Sequence, residues 1–415
     1  MLQTSDFHQN LSTVFANPTY VSQRMSTLIS EGKYAVTEWL EESLMEGLPG
    51  IAAYLLASES HEDAIWEYLV RSYEIQTKEK PTTFSYWYGL PGLTAVVAQA
   101  SKEISDLVPL KNNLDDILLL HLPKQYLIPG NNLLQKDIFI PTHYYSFAHG
   151  VSGILKYLLS DNIPSPFYSL AQKLIEQLSK IVLKKQKHHP FYISPENLPA
   201  HQRVHNKKGG VYLSLPLGIA GPLSSLSYAS INGIHTPHQQ RAIQTLANQV
   251  KGWIKNRAEF VIIIPENEPP IHPQPHSFDS YSTGWPNIIR SLFLAGKALQ
   301  DEKLIQFAAS TYTSYFDEAI LDPSLQGINF SAGIAGFASI SKKMFEDLQM
   351  HNKVQQANTL LHRINDHFDP TIPFRFKVHF PLKKGIQRLC QAPGILHGSS
   401  GIGLAMKDRT DLLFF

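Results

Sequence analysis

The stretch Leu-His-Gly-Ser-Ser-Gly-Ile-Gly-Leu-Ala, residues 396–405, decides the fold because shorter copies of it recur along the chain. Each copy is a corner of small residues, Gly-x-x-Gly, followed by apolar residues. The six earlier copies lie at residues 46–52, 88–93, 149–154, 217–221, 283–288 and 332–337. The fifth copy is degenerate, with Asn287 in place of the second Gly. Leading glycines 42 to 68 residues apart allow one helical hairpin per copy.

The residues around each corner predict helices. Apolar runs with helical spacing follow the corners, and amphipathic stretches such as 170–183 and 241–254 lie between them as partner helices. Pro49 and Pro91 stand where a first helical turn tolerates proline. We expect the first Gly of each corner to supply a backbone conformation closed to other residues, and the second to let another backbone come close.

These observations predict an all-α fold, an α/α toroid of about seven helical hairpins with irregular loop insertions and minor short strands. In a closed ring the inner helices lie side by side, and the corners gather at one end, where loops on a rigid scaffold form a site. An open solenoid is the alternative. Closure is favoured because the degenerate fifth copy and the long insertions do not suit a regular stack.

The even recurrence of the corners predicts one domain over residues 1–415. We expect peripheral N-terminal helices in residues 1–37 and loop insertions at 184–210 and 265–278. Residues 129–145 are predicted to be a loop with short strands, and the apolar residues 411–415 to dock as a short strand or tail.

Composition narrows the class of protein. A net charge of +1 gives no reason to expect nucleic acid or an anionic membrane as partner. The single cysteine excludes a disulfide within the chain and favours a reducing cytoplasm. The N-terminus has no signal-peptide pattern, and the longest aliphatic runs are too short to span a bilayer.

The seven corners and their neighbours resemble the lanthionine synthetase C family over nearly all of the chain. The segments that carry the resemblance are Gly-Leu-Pro-Gly-Ile at 47–51, Gly-Val-Ser-Gly-Ile-Leu at 150–155, Asp-Ser-Tyr-Ser-Thr-Gly-Trp-Pro at 279–286, and 218–233. The resemblance implies an α/α toroid that adds a peptide Cys thiol to dehydroalanine or dehydrobutyrine, which gives a thioether ring. It also implies a dehydrated precursor peptide, leader and core, as partner.

The chain departs from the family at the metal. Metal-binding members hold zinc with a Cys before the fifth corner and a Cys-His pair before the sixth, where this chain has Ser282, Ser331 and Ala332. A hydroxyl is a poor zinc ligand and a methyl group is none, so we predict no zinc and no other cofactor. The family's active-site His and Asp correspond to Leu217 and Ser146. In lacking the zinc ligands the chain resembles the cyclase domains of class III synthetases, which also carry lyase and kinase domains. Such domains, or a dehydratase, are the implied partners.

The residue before each first Gly faces the same end of the ring if the corners are equivalent. These seven residues are Glu46, Tyr88, His149, Leu217, Thr283, Ala332 and His397. We predict His149 and His397 as base and acid, with Tyr88 as a further catalytic residue and Asp279 orienting a partner. The predicted substrate-binding residues are Glu46, Tyr281, Ser282 and Ser331. The structural alternative is that the histidines cap helices or satisfy turn backbone.

Other patterns are weaker. His201 and His205 have the spacing of a helical metal pair, but the surrounding glycines and polar residues favour a loop. The basic insertion is a solvated loop or a contact for an acidic leader peptide. Three functions remain open: a zinc-independent cyclase, a binding module that holds the peptide or scaffolds a dehydratase, and a glycosidase. The last needs two carboxylates roughly 5–9.5 Å apart, and only Glu46 and Asp279 lie near corners.

Overall fold

The computed structural model describes residues 4–33, 39–79, 82–136, 138–160, 165–186, 188–198, 203, 207–255, 263–264, 284–322, 325, 327–381 and 387–415. In this part of the chain seven inner helices follow the seven corners: Leu48–Ala57, Leu90–Ala100, Val151–Leu158, Ala220–Ile231, Trp285–Leu299, Ile334–Asp347 and Ser399–Met406. Six outer helices alternate with them: Glu62–Glu74, Val108–Leu122, Ser165–Val182, Gln239–Lys255, Glu302–Ala319 and His351–His362. Further helices are Thr4–Phe15, Pro18–Ser30, Ile128–Gln135 and Thr142–Tyr145.

The inner helices form a closed ring. Each contacts the next in chain order, and the seventh, Ser399–Met406, contacts the first, Leu48–Ala57. Each outer helix packs against the inner helix that precedes it. The prediction of an α/α toroid is therefore confirmed, and the open solenoid is not what the chain adopts.

The burial of each helix explains its sequence. All of Leu48–Leu55 in the first inner helix is buried, because this helix has ring neighbours on two sides and an outer helix on a third. Outer helices carry an apolar stripe instead. In Ser165–Val182 the buried Leu170, Leu174 and Leu178 recur every four residues and face the ring. The two layers thus differ in composition because they differ in how many faces they bury.

In the first, second, third, fourth and seventh corners the second glycine is a contact point with a neighbouring corner. A Cβ added at Gly153 would lie 1.9 Å from the main-chain oxygen of Phe147 in its own corner. It would also lie 2.6 Å from Cβ of Tyr86 in the second corner. Only a residue without a side chain fits here, as the recurrence of the motif predicts.

The reason predicted for the first glycine was wrong. Gly89 has φ −133° and ψ −170°, an extended conformation with negative φ that is not reserved for glycine. An added Cβ there would lie 2.4 Å from the main-chain oxygen of Thr83. Gly150 meets the oxygen of Tyr144 at the same distance. Close approach of the corner's own backbone, and not an unusual φ, therefore requires this glycine.

Backbone hydrogen bonds link the corners to one another. The donors and acceptors are Leu44 N to Trp87 O (2.9 Å), Trp87 N to Ala148 O (3.0 Å), Ala148 N to Pro216 O (3.0 Å), Ser331 N to Leu396 O (2.8 Å) and Ile395 N to Met45 O (2.7 Å). These bonds join the sixth, seventh, first, second, third and fourth corners in a row. All of these corners therefore lie at one end of the ring.

Residues 411–415 pack inside the ring. Leu413 and Phe415 are buried, and the Tyr86 hydroxyl donates to the main-chain oxygen of Leu412 at 2.9 Å. Arg290 Nε, on the fifth inner helix, donates to the main-chain oxygen of Phe415 at 2.9 Å. The ring of Phe147 from the third corner meets Phe415 edge to face. This segment therefore fills the interior of the ring beneath the corners.

Short strands lie between the hairpins. Tyr192–Ile193, Gly210–Tyr212 and Ile263–Ile264 form an antiparallel sheet in that order, and Val378–Pro381 pairs with Gln387–Cys390. The predicted loop with strands at 129–145 was wrong, because this region holds the helix Ile128–Gln135, with Pro129 in its first turn, and the short helix Thr142–Tyr145. Among the described residues, no helix has the length and apolar character needed to cross a membrane.

Candidate functional site

The inner helices all begin at corners, so their N-termini converge at one end of the ring, which we call the mouth. The residues before the first glycines define its rim in the described part of the chain: Glu46, Tyr88, His149, Leu217, Ala332 and His397. Glu46 is buried, Ala332 is exposed, and the other four are partly exposed. The structure thus brings Glu46, Tyr88, His149 and His397 together on consecutive corners, the seventh, first, second and third.

A hydrogen bond from the main chain to an earlier side chain fixes the backbone of the rim. The residue three positions before the rim residue accepts its main-chain N–H: Ser43 from Glu46 (3.0 Å), Ser85 from Tyr88 (3.1 Å), Ser146 from His149 (3.3 Å) and Asn329 from Ala332 (2.8 Å). Sequence reasoning missed these residues. Aligning the copies of the corner would have found them, because Ser or Asn recurs at one position.

His397 and Glu46 form a pair across the seventh and first corners. His397 Nδ1 donates to Glu46 Oε1 at 2.8 Å, and Trp39 Nε1 donates to the main-chain oxygen of Glu46 at 2.9 Å. A Cβ at Gly394 would lie 2.6 Å from Cα of Glu46, so the seventh corner has Gly where the others have Ser or Asn. Burial lowers the pKa of His397, but the charge and hydrogen bond of Glu46 outweigh it, so this pKa is raised above its ordinary value.

His149 and Tyr88 form the second pair, across the third and second corners. Their rings stack with centroids 5.2 Å apart and planes 17° from parallel. The Tyr126 hydroxyl donates to the main-chain oxygen of His149 at 3.1 Å. Burial, with a smaller contribution from nearby His143, lowers the pKa of His149. Burial and the negative charge of Glu46 raise the pKa of Tyr88, which therefore keeps its proton.

The pKa values of the two histidines are thus shifted in opposite directions. Near neutral pH the carboxylate beside His397 favours its protonated form, while burial favours neutral His149. Two titratable groups whose pKa values are pushed apart are suited to opposite roles, one as acid and one as base. Tyr88 stacks on His149 and lies within reach of the Glu46 charge, so it connects the second pair with the first.

Of the other predicted site residues, the structure describes only Ser331. Asp279, Tyr281 and Ser282 fall outside the described residues, as do His201 and His205. Ser331 lies at the sixth corner and is partly exposed, and its main-chain N–H donates to the main-chain oxygen of Leu396. Their predicted roles remain predictions.

The described residues do not fit the zinc site that the resemblance implies. Ser331 offers a hydroxyl and Ala332 a methyl group where the resemblance implies a thiolate and an imidazole. In the part of the chain that the structure describes, no group of three or more His, Cys, Asp or Glu side chains lies close enough to hold a metal ion. That no zinc binds remains a prediction.

Comparison with known proteins gives one family. The sequence profile described as "Lanthionine synthetase C-like protein" matches residues 38–411. The solved structure of a nisin cyclase is similar, with a TM-score of 0.72 and 20% sequence identity over 93% of each chain. At this identity the likeness shows the fold. No curated protein sequence matches the chain.

Proposed function

Because the chain belongs to the lanthionine synthetase C-like family, we propose that it is a zinc-independent lanthipeptide cyclase. It would add peptide Cys thiols to dehydroalanine or dehydrobutyrine and so form thioether, lanthionine-type rings. The observation that carries the proposal is the pair of histidines on one mouth whose pKa values move in opposite directions.

The thiol must first lose its proton. A free thiol with a pKa of about 8.5 is only about 3% thiolate at pH 7. The free-energy cost of deprotonating this thiol at pH 7 is about 2 kcal/mol, which is roughly 1.5 pK units at about 1.36 kcal/mol each. One positioned general base raises the reaction rate about 10²–10⁴-fold, which is enough to offset this cost without a metal. His149 suits this task because its lowered pKa keeps it neutral and able to accept the proton.

The addition then proceeds in two proton transfers. A ring nitrogen of His149 takes the thiol proton as sulfur attacks the β-carbon of the dehydro residue. The electron pair of the C=C bond moves onto the carbonyl to give an enolate. His397 donates a proton to the α-carbon and the C=O bond is restored. Solvent then returns a proton to His397 and takes one from His149, so the step is balanced and the enzyme unchanged.

The mouth also stabilises negative charge. The seven inner helices point their N-termini toward it, and each N-terminus carries roughly half a positive charge. Preorganised dipoles of this kind lower the energy of a thiolate and of an enolate oxygen. Tyr88, whose raised pKa keeps its hydroxyl protonated, supplies a donor for the enolate oxygen. Glu46 raises the pKa of His397 and so favours its protonated form, which makes Glu46 a positioning residue as well as a candidate contact for substrate.

The experiment that tests the proposal measures thiols. The purified chain is incubated with a dehydrated, Cys-containing precursor peptide in the presence of a chelator, and the remaining free thiols are counted over time. We expect faster loss than in the control without protein. Equal rates would eliminate the cyclase and leave the binding module. Stoichiometric zinc in the purified protein would eliminate the metal-free mechanism. The class III relationship, the partner domains and a cytoplasmic location belong to the same proposal.

A further inference from the structure

A lysine-rich surface with exposed apolar side chains lies beside the third corner. We call it the docking surface and define it by Lys136, Ile138, Phe139, His188, Tyr192 and Lys207. The Phe139 ring lies 4.9 Å from that of Tyr192 and 5.4 Å from that of His188, measured between centroids. Phe139 is 38% exposed and Ile138 43% exposed. Two neighbouring apolar side chains at that exposure are more than scattered surface residues.

This surface is attached rigidly to the mouth. Ile140 N donates to the main-chain oxygen of Pro190 at 3.0 Å, which holds the Phe139 segment against the insertion. Within the insertion, Tyr192 pairs with Val211 in the sheet that leads into the fourth corner. Phe191 packs on Tyr145 of the third corner with ring centroids 4.2 Å apart. A chain bound here would therefore begin next to the corner that carries His149.

Positive charge is concentrated in the sequence of the same insertion. Residues 184–208 contain six Lys and Arg against one Glu, a net charge of +5 in a protein whose total is +1. Lys136, Lys185 and Lys207 are exposed. Lys184 Nζ donates to the main-chain oxygen of Leu133 at 2.9 Å, so one lysine ties the insertion to the helix Ile128–Gln135. Lys136, three residues before Phe139, and Lys207, whose neighbour Lys208 accepts a hydrogen bond from the Tyr192 hydroxyl, place positive charge beside the apolar side chains.

We propose that the docking surface binds an acidic, amphipathic peptide segment, the leader part of the precursor, and holds the dehydrated part at the mouth. This rests on the proposed function and names the segment that it recognises. Glu and Asp of the segment meet the lysines, while its Leu and Phe side chains cover Phe139 and Ile138. Nucleic acid would satisfy the lysines but not the aliphatic Ile138, so the pairing of features favours peptide.

The test uses fluorescence anisotropy with the full chain. The probe is a short synthetic peptide with Glu and Asp on one helical face and Leu and Phe on the other. Reversal of two surface charges, Lys136→Glu with Lys207→Glu, weakens binding about tenfold. The matched control, Lys102→Glu with Lys303→Glu, makes the same charge change at exposed lysines elsewhere and changes binding less than about twofold. Equal losses in both variants would overturn the proposal.

The apolar part is tested separately. Phe139→Ser weakens binding, whereas Leu321→Ser removes an even more exposed apolar side chain, 81% exposed, without effect. An unlabelled oligonucleotide of equal charge should displace the probe poorly. If it displaces the probe better than the unlabelled peptide does, the surface recognises nucleic acid and the proposal fails.

A kinetic readout separates this proposal from the proposed function. The charge-reversed variant should raise KM for a dehydrated peptide fused to the acidic segment, and leave the rate with the same peptide lacking that segment unchanged. Probe binding without any thiol addition would retain the docking surface and refute the cyclase. Thiol addition at equal KM for both peptides would retain the cyclase and refute the docking surface.

Discussion

The mouth has two sectors, one at the fourth and sixth corners and one from the seventh to the third corner. Their corners have the same backbone packing and differ in the side chains of the rim. In the fourth and sixth corners, Gly218 and Gly333 would each place a Cβ 2.4 Å from a main-chain oxygen, as Gly89 and Gly150 would in the second and third corners. The rim residues of the fourth and sixth corners are nevertheless Leu217 and Ala332, while the sector from seventh to third corner presents two imidazoles, a phenol and a carboxylate. The comparison teaches that glycines build the corner and that one residue per corner determines its chemistry.

This difference also decides which side of the described rim carries ionisable side chains. The positions where the family resemblance implies a metal ligand or an active-site His lie at the fourth to sixth corners, and those that the structure describes carry no such group. The ionisable residues occupy the remaining side of the mouth.

Changing the scaffold shared by both sectors should have the largest effect. Gly153→Val places atoms within 2 to 3 Å of Phe147 and Tyr86, so we expect a loss of at least about 4 kcal/mol in the free energy of unfolding, or no folded protein. Urea denaturation measures it. Gly252→Ala is the control, because nothing lies within 4 Å of that position in an outer helix, and it should stabilise by up to about 1 kcal/mol. A Gly153 variant of normal stability would contradict the packing of the corners.

Changing rim residues should separate the sectors. His149→Asn and His397→Asn are each expected to lower the protein-dependent rate of thiol addition by about 10²-fold or more, because each removes a proton carrier. Leu217→Asn, at the same position of the fourth corner, should leave the rate within about twofold. Rates with dehydrated peptide are measured after circular dichroism has shown that each variant folds. Full activity in either histidine variant would refute its assigned role.

The pH profile tests the Glu46 and His397 pair. The rate should fall at acidic pH as His149 becomes protonated and at alkaline pH as His397 loses its proton, after subtraction of the uncatalysed reaction. Glu46→Gln removes the charge that raises the pKa of His397, so the alkaline limb moves to lower pH and the rate at the alkaline end falls about tenfold. The acidic limb stays in place. Glu103→Gln, at an exposed glutamate, should move neither limb.

The smallest effect is expected from the turn hydrogen bonds. Ser146→Ala removes the acceptor for the His149 N–H and should cost about 1 kcal/mol in the free energy of unfolding. Ser101→Ala, at the C-terminal end of the second inner helix and away from the rim, should change it by less than about 0.5 kcal/mol. Thermal unfolding measures both. Equal, negligible changes would show that the corner backbone does not depend on this bond.

Much of the fold follows from recurrence in the sequence. The glycine corners and the paired helices are readable from the spacing of Gly47 to Gly398 and from helical periodicity. Closure of the ring is favoured over an open solenoid only because the degenerate copy and the insertions do not suit a regular stack. The reason why the first position must be glycine cannot be read from the sequence. Close approach of the backbone within a corner and an unusual φ both require glycine, so the sequence does not distinguish them. The helix Ile128–Gln135 was missed because Pro129 and Gly130 are typical of loops as well as of first turns.

The site was only partly predictable. Equivalence of the corners places Glu46, Tyr88, His149 and His397 at one end without any structure. It does not reveal that Glu46 pairs with His397, since they are 351 residues apart, or that Tyr126 supports His149. The opposite pKa displacements arise from burial and from that pairing, and neither is visible in a sequence.

Closure of the ring has a consequence for biosynthesis. The seventh inner helix must meet the first, so the His397 and Glu46 pair, 351 residues apart in the chain, cannot form until both corners have left the ribosome. At about 5–20 residues per second the first hairpins wait tens of seconds with apolar sides uncovered. The unclosed ring of hairpins on the ribosome therefore exposes apolar surface to which chaperones bind. A truncated translation product that lacks the seventh corner would lack the His397 and Glu46 pair, however well its individual hairpins had folded.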